Sequence, residues 1–335
     1  MTALSRENSK KMTLKAISQT IKSAKSVLVL THINPDPDAI GSSSSLVLAL
    51  NSIGIKSKLY LESAPTYQLV EMTQTVPIVY QIRSDEKFDL VIALDTSTNK
   101  RLIGYDPQLL VPGGKFINID HHLGSDVTWA DLNFISDEHP AACTIVYELL
   151  LELKVKITKE IANLLLTGLM GDTGSFRFGN TNEIAFETAL GLIRSGASPE
   201  YVANRLYYSV PPRVLALKGA CLTGMTYFAA GRAVLLFLTH DVLERYGAEK
   251  GDTDALSDLG RSVANGVISA FIREEEAGKW KVSLRSKERR FTVNQIASKF
   301  GGGGHLQAAA FTHEGDIEPV KQTLIKEIEE YLAHA

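Results

Sequence analysis

The sequence predicts an α/β protein: an N-terminal parallel-sheet domain with helices on both faces, then a smaller mixed α/β domain across a cleft. Three observations predict it. Short continuous apolar runs, of the kind buried on both faces of a sheet, alternate with helix-like segments over the first two-thirds of the chain. Three of those runs end in acids and imidazoles. After residues 209–213, SVPPR, the alternation gives way to a different pattern of strands and helices.

Taken in order, residues 26–32 (SVLVLTH) read as the first strand, and residues 42–53 as a helix ended by Gly54. KLYLES at 58–63, FDLVIALDTS at 88–97 and KFINIDHH at 115–122 read as further strands. Helical patterns follow at 141–153, 159–170 and 182–195. Beyond the two prolines come the apolar run RAVLLFLTH, a helical stretch around 256–270, KWKVSLRS, the helix-like VNQIASKF, and GGGGH at 301–305. The expected division is a first domain over 1–208, a linker at 209–214 and a second domain over 215–335.

Composition narrows the classes. The chain has 335 residues, enough for two cores, with 44% apolar and 22% charged residues, as in an ordinary globular protein. Its net charge of −3 provides no global basic field for nucleic acid, so an anionic ligand must be held by local charge. Cys143 and Cys221 lack CxxC spacing and read as buried thiols in a reducing cytoplasm. Residues 1–15 lack the apolar core of a signal peptide, and the apolar runs are too short to span a bilayer. The expectation is a cytoplasmic protein with no membrane partner.

Open α/β sheets bind ligands beyond the carboxyl ends of their strands. Three loops therefore converge: His32 with Asp36 and Asp38, then Asp95, then Asp120-His121-His122. Asp172 joins them from the end of an apolar helix. The set His32, Asp36, Asp38, Asp95, His121 or His122, and Asp172 has oxygen and imidazole donors without thiolate, which suits Mn²⁺ or Mg²⁺ better than a structural zinc. Several adjacent carboxylates repel unless cations neutralise them, and the donors exceed what one catalytic metal needs. Pro35 and Pro37 bias the chain before them away from helical angles, so Asp36 and Asp38 are expected in an extended loop, with Gly41 giving a tight exit. Each feature alone has a bland explanation. A DxD is commonly a turn or a helix cap, Asp95 before Thr-Ser could merely cap a helix, a His-His pair is commonly core or surface, and GDTG is commonly a turn. Four of them following four apolar segments are harder to explain as accidents.

THINPDPDAIGS, ALDTS, IDHH and GLMGDTG resemble the four motifs of the DHH phosphoesterase superfamily, and GGGGH resembles the signature of its associated C-terminal domain. The chain is similar to the NrnA-like members, short-oligonucleotide exonucleases that often also remove the 3′-phosphate of phosphoadenosine phosphate. The resemblance implies His32 and Asp36 on one metal, Asp38, His121 and Asp172 on the other, and Asp95 as the bridge. It implies that His122 faces the substrate phosphate and that Asp120 buttresses an imidazole. Pro37 stands where many members have glycine, and Ala310 where the family usually has glycine. The implied cofactors are two divalent cations, Mn²⁺ first, with Mg²⁺ or Co²⁺ as alternatives.

Arg285 at a strand end reads as a phosphate grip, with Ser286 and Asn294 in the same segment. Gly302, Gly303 and Gly304 read as a close-approach loop and anion nest, and His305 as a donor or a stacking ring. Arg289 and Arg290 read as a solvated basic face, and Arg177 as a residue facing the cleft. The expected partners are short RNA or DNA oligonucleotides, linear dinucleotides such as pApA, and a nucleoside bisphosphate. The sequence does not fix the oligomer, and a homodimer is compatible with it. The competing readings are an inorganic pyrophosphatase or exopolyphosphatase and a non-catalytic nucleotide sensor. A dinucleotide-cofactor enzyme lacks its GxGxxG after the first strand.

Overall fold

Residues 27–30 carry no polar side chain and are fully inaccessible, so they form a strand that only a sheet covered on both faces can accommodate. This strand belongs to a computed structural model that describes residues 12–102, 104–249 and 251–334, the side chains of Ala255 and His305 excepted. The chain divides into two units at residues 209 and 210.

The first unit contains α1 (Leu14–Ser23), β1 (Ser26–Leu30), α2 (Pro37–Ser52), β2 (Lys56–Tyr60), β3 (Ile78–Val79), β4 (Phe88–Leu94), β5 (Leu110–Asp120) and β6 (Leu132–Ile135). Then come α3 (Ala142–Leu153), α4 (Lys159–Asp172), α5 (Glu183–Arg194) and α6 (Pro199–Ala203). The strand order is β3-β2-β1-β4-β5-β6, with every pair parallel. The order reverses between β1 and β4, which opens a crevice at their carboxyl ends.

Val27, Val29, Ile92, Ile117 and Ile119 face one core, shared with α1 through α5. Leu28, Leu30, Val91, Ala93 and Phe116 face the other, closed by Leu102, Leu109, Tyr105 and Trp129. The helices expected on both faces thus resolve into α-helices on one face and loops with short 3₁₀ turns on the other. α2 and α4 approach closely: a Cβ at Gly41 would lie 2.4 Å from the Leu164 carbonyl oxygen, and one at Gly168 would lie 2.7 Å from Asp38 Oδ1. These contacts fix Asp38 against α4.

One expectation is corrected here. Asp36 and Asp38 do not lie in an extended loop, because α2 begins at Pro37, five residues earlier than the sequence suggests. Proline is favoured at the first helical position, where its missing N–H is not needed. Asp36 then caps the helix and Asp38 lies in its first turn.

The second unit contains α7 (Pro212–Thr223), β7 (Thr226–Phe228), β8 (Ala233–Leu238), α8 (His240–Arg245), a 3₁₀ stretch (Asp254–Ser262), β9 (Ile268–Glu276) and β10 (Lys279–Ser286). α9 (Val293–Lys299), β11 (Gly303–His305), β12 (Ala308–Glu314) and α10 (Glu318–Ala333) complete it. Its sheet runs β11-β12-β10-β9-β8-β7 and is mixed, with β8 and β9 parallel and the other pairs antiparallel. Ile296 of α9 and Leu324 and Ile328 of α10 cover one face, and Leu217 and Cys221 of α7 the other. Two local expectations change. Residues 212–214, expected in the linker, form the first turn of α7. The helix expected over 256–270 is a 3₁₀ stretch ending at Ser262, and residues 268–270 belong to β9, whose alternate side chains fill both cores. Among the described residues, no helix is long and apolar enough to cross a membrane.

Candidate metal centre

The carboxyl ends of β1, β4 and β5 deliver the acids and imidazoles of the first unit to one place. His32 follows β1, and its Nδ1 lies 2.8 Å from the Ile33 carbonyl. That contact assigns the Nδ1 hydrogen and leaves Nε2 as the outward nitrogen. Nε2 lies 3.8 Å from Asp36 Oδ2 and 3.6 Å from Asp95 Oδ2. Asp36 divides its oxygens: Oδ1 accepts the N–H groups of Asp38 (2.9 Å) and Ala39 (3.0 Å), while Oδ2 faces His32.

Asp38 is fully buried, and its carboxylate accepts the N–H groups of Ala142 (2.5 Å) and Cys143 (2.9 Å). The N-cap of α3 is Ala141, which has no side-chain acceptor, so Asp38 supplies the cap from another helix. Its Oδ2 also lies 3.7 Å from His121 Nε2. Asp172 is the last residue of α4, and its Oδ2 lies 3.2 Å from the same nitrogen. Asp95 follows β4 with φ at +57°, a left-handed conformation uncommon outside glycine. It sits between the two imidazoles, with Oδ1 3.3 Å from His121 Nε2 and Oδ2 3.6 Å from His32 Nε2.

His122 is held differently. Its Nδ1 lies 2.7 Å from Asp120 Oδ1, and Asp120 is fully buried at the end of β5. Asp120 also accepts the His121 N–H at 2.9 Å and the Ser125 hydroxyl. Asp120 therefore orients the His122 ring and lies behind it, rather than joining the cluster of acids around His121.

Two sets of donors result, His32–Asp36–Asp95 and Asp38–His121–Asp172, and each could hold a metal ion. A third grouping joins Asp95, His121 and His122. The residues fit such an occupant on two counts. Among the described residues, Asp95 Oδ1 and His121 Nε2 are buried without a well-aligned hydrogen-bond partner, which is costly unless something else binds them. The charges also demand a cation. Burial works against a charged His32 ring, but its contact with Asp95 and the charges of Asp36 and Asp95 prevail and hold it at about 9. Burial likewise opposes a charged His121, and Asp172 and Asp95 push it well above the usual histidine range. Burial, then the charges of Asp95 and Asp172, raise Asp38 well above the usual carboxylate range. Without metal, protonated imidazoles do the neutralising.

Two nearby groups are not evident from the motifs. Arg101 Nη2 lies 3.4 Å from His32 Nδ1, and its only sequence signal is the basic pair Lys100-Arg101 beyond the Asp95 loop. Ser125 grips Asp120, with no signal in the sequence. Arg177 is exposed, and its Nε donates to the Gly174 carbonyl at 2.5 Å, so it braces the turn after Asp172.

The remaining expected residues lie in the second unit. Arg285 is partly buried, with Nη2 3.0 Å from Ser257 Oγ and Nε 3.4 Å from Asp258. Asn294 Oδ1 is buried without a hydrogen-bond partner among the described residues. Ser286 corrects its expectation: it is fully buried, and its hydroxyl donates to the Glu288 carbonyl at 2.7 Å, so it forms a turn and offers nothing to a ligand. Arg290 pairs with Glu288 and, like Arg289, is exposed, as expected. The glycines divide. A Cβ at Gly302 or Gly304 would strike the Ala310 or Ala308 carbonyl oxygen, at 2.2 and 2.5 Å, so β12 itself requires these two. Gly303 has open space around it, so nothing among the described residues explains its missing side chain. The side chain of His305 lies outside the described residues.

Comparison with known proteins was consistent along the chain. Residues 26–169 match the model described as "DHH family, N-terminal domain", and residues 233–334 match "DHHA1 domain". The chain is 31% identical to a Thermus thermophilus protein named "Bifunctional oligoribonuclease and PAP phosphatase NrnA", covering 96% of this chain and 95% of the relative. It is 29% identical to the Bacillus subtilis protein of the same name, over 87% of this chain and 90% of that one. The crystal structure of an exopolyphosphatase-related protein from Bacteroides fragilis superposes with a TM-score of 0.86 at 25% identity, covering 96% of this chain and 97% of that one.

Proposed function

The chain belongs to the DHH family, a hydrolytic family, and from that premise we propose that it is a phosphodiesterase and phosphatase for very short nucleic acids. Its substrates are linear dinucleotides such as pApA and other short oligonucleotides, cleaved to mononucleotides, and 3′-phosphoadenosine 5′-phosphate, converted to AMP. The named activities of the two NrnA relatives support the substrate class. The observation that carries the reaction class is the position of Asp95, one carboxylate facing both His32 and His121 at the junction of two donor sets.

In this reading His32 and Asp36 would hold one divalent cation and Asp38, His121 and Asp172 would hold the second, with Asp95 available to both. Such cations supply Lewis acidity toward a phosphoryl oxygen and make a nearby water more acidic. The chain's own residues do the rest. Asp38 ties the donor set to the start of α3, so the geometry is fixed before substrate arrives. Burial opposes a charged His122, but its hydrogen bond to Asp120 outweighs this and raises the ring above the usual histidine range. A readily protonated imidazole held by Nδ1 suits a general acid that delivers its proton from Nε2 to the leaving oxygen. In the second unit, Arg285, Asn294 and the Gly303–Gly304 backbone contribute substrate affinity.

Parallel assays of the purified protein with Mn²⁺ test the reading, using pApA, 3′-phosphoadenosine 5′-phosphate and pyrophosphate. Turnover of the two nucleotides well above that of pyrophosphate is expected. The reverse order would favour the pyrophosphatase reading and overturn this one.

A further inference from the structure

The chain leaves α4 at Asp172 through an uncommon turn. Gly174, Ser175 and Phe176 have φ of +56°, +57° and +64°, three left-handed residues in succession, of which two are not glycine. Such a run is unfavourable unless its surroundings hold it. Here they do. The N–H groups of Arg177 and Phe178 donate to the Thr173 carbonyl, each at 2.9 Å, and that of Phe176 donates to Thr173 Oγ1 at 3.1 Å. The Phe176 ring stacks on Phe186 of α5, with 5.4 Å between centroids. The turn reverses the chain and returns the half-buried Asn180 to the end of α4. There Asn180 Nδ2 donates to the Asp172 carbonyl at 3.1 Å and to the Pro140 carbonyl at 3.0 Å. Both partners are acceptors, so the amide nitrogen, with its two hydrogens, must be the atom that faces them.

The two carbonyls belong to the two segments that carry one donor set. Asp172 supplies a carboxylate to the Asp38–His121–Asp172 set from the end of α4. Pro140 lies two residues before Ala142, whose N–H, with that of Cys143, donates to the Asp38 carboxylate. One amide thus joins the backbone under Asp172 to the helix start that Asp38 caps. Neither bond goes to His32 or Asp36 of the other set. We propose that Asn180 is a positioning residue for the Asp38–His121–Asp172 set, holding the Asp172 and Asp38 carboxylates at the separation that one divalent cation requires. Its bonds are to backbone carbonyls, so it acts through Asp172 and Asp38 rather than on the cation. The proposal rests on the metal-binding reading above. Asn182 provides the contrast. It is exposed, its Nδ2 donates to the Glu138 carbonyl at 2.7 Å, and its Oδ1 caps α5 by accepting the Ala185 N–H at 3.2 Å. It braces the same loop through Glu138 and α5 rather than through Asp172.

The full chain, freed of metal by chelation, is titrated with Mn²⁺ by calorimetry in the absence of substrate. Wild type is compared with Asn180→Ala, Asn180→Leu, Asn182→Ala and Asp172→Asn. Wild type should bind two ions. Both Asn180 variants, the second of similar volume but without donors, should weaken one site by about tenfold or more and leave the other within about twofold. The weakened site should be the one lost in Asp172→Asn, so adding Asn180→Ala to Asp172→Asn should change the remaining affinity by less than about twofold. Asn182→Ala removes a helix cap and should lower the melting temperature while leaving both sites within about twofold. Two intact sites in both Asn180 variants would overturn the proposal. So would equal weakening of both sites, an equal loss in Asn182→Ala, or failure of both Asn180 variants to fold, each of which marks Asn180 as structural alone. A wild-type protein that binds no Mn²⁺ would instead reject the metal-binding reading, and the proposal with it.

Discussion

His121 Nε2 lies 3.3 Å from Asp95 Oδ1, and both atoms are buried without a completed hydrogen bond among the described residues. Two buried polar atoms at this separation, neither with a well-aligned partner, mark a point that a third participant satisfies. Asp95→Asn removes the shared charge, and asparagine tolerates the left-handed backbone that Asp95 adopts. Calorimetric titration should show Mn²⁺ affinity falling by on the order of 10- to 100-fold or more, with the melting temperature retained. Unchanged Mn²⁺ binding would remove Asp95 from the centre.

The helix contact behind Asp38 should be intolerant of volume. A Cβ at Gly168 would lie 2.2 Å from Cys143 Sγ and 2.7 Å from Asp38 Oδ1. Gly168→Ala should cost about 1–3 kcal/mol and displace Asp38. Gly303→Ala, in open space, should leave stability within about 0.5 kcal/mol while raising KM for nucleotide substrates. Denaturant melts and steady-state kinetics on both variants separate the two effects.

Both thiols should be inert in the folded protein. Burial pushes Cys221 up to about 12. Burial and the Asp38 carboxylate push Cys143 well above the usual thiol range. Reactivity belongs to the thiolate, whose fraction falls as the pKa rises, so at pH 8 the native thiols are almost wholly protonated, against about a quarter ionised for a free thiol of pKa about 8.5. Iodoacetamide at pH 8 should label neither cysteine until denaturant is added. Rapid labelling of the native protein would contradict their burial.

Substrate length should matter steeply. The net charge of −3 offers a long strand no continuous attraction, so each added nucleotide brings repulsion without new contacts. A series of 5′-labelled oligonucleotides at fixed salt should show turnover falling from dinucleotides to twenty-nucleotide RNA. Arg285→Ala should raise KM for pApA about tenfold or more without altering Mn²⁺ binding, because a charge-assisted phosphate contact is lost. Equal rates at all lengths, or an unchanged KM, would contradict a short-substrate site with Arg285 in it.

Much of the centre was legible because its strands announce themselves. Apolar runs that stop abruptly at His32, Asp95 and Asp120 place those residues at strand ends, and a parallel sheet brings such ends together. The start of α2 was not legible, because PDPD reads as extended until Pro37 is seen to occupy the one helical position that suits it. Residues 268–270 misled for a related reason: a short apolar run has the same composition in a helix and in a buried strand. The two roles of the glycine run were hidden because they depend on where β12 lies, not on the run itself. Asp38 capping α3 across 104 residues is a tertiary fact with no local signature.

The most direct test of the central claim is the fate of pApA. The protein, freed of metal by chelation and then given Mn²⁺, should convert each pApA to two AMP, and chelator should abolish this reversibly. Intact pApA after incubation of the folded protein with Mn²⁺, or equal hydrolysis in excess chelator, would contradict the assignment of a metal-dependent phosphodiesterase to this cluster.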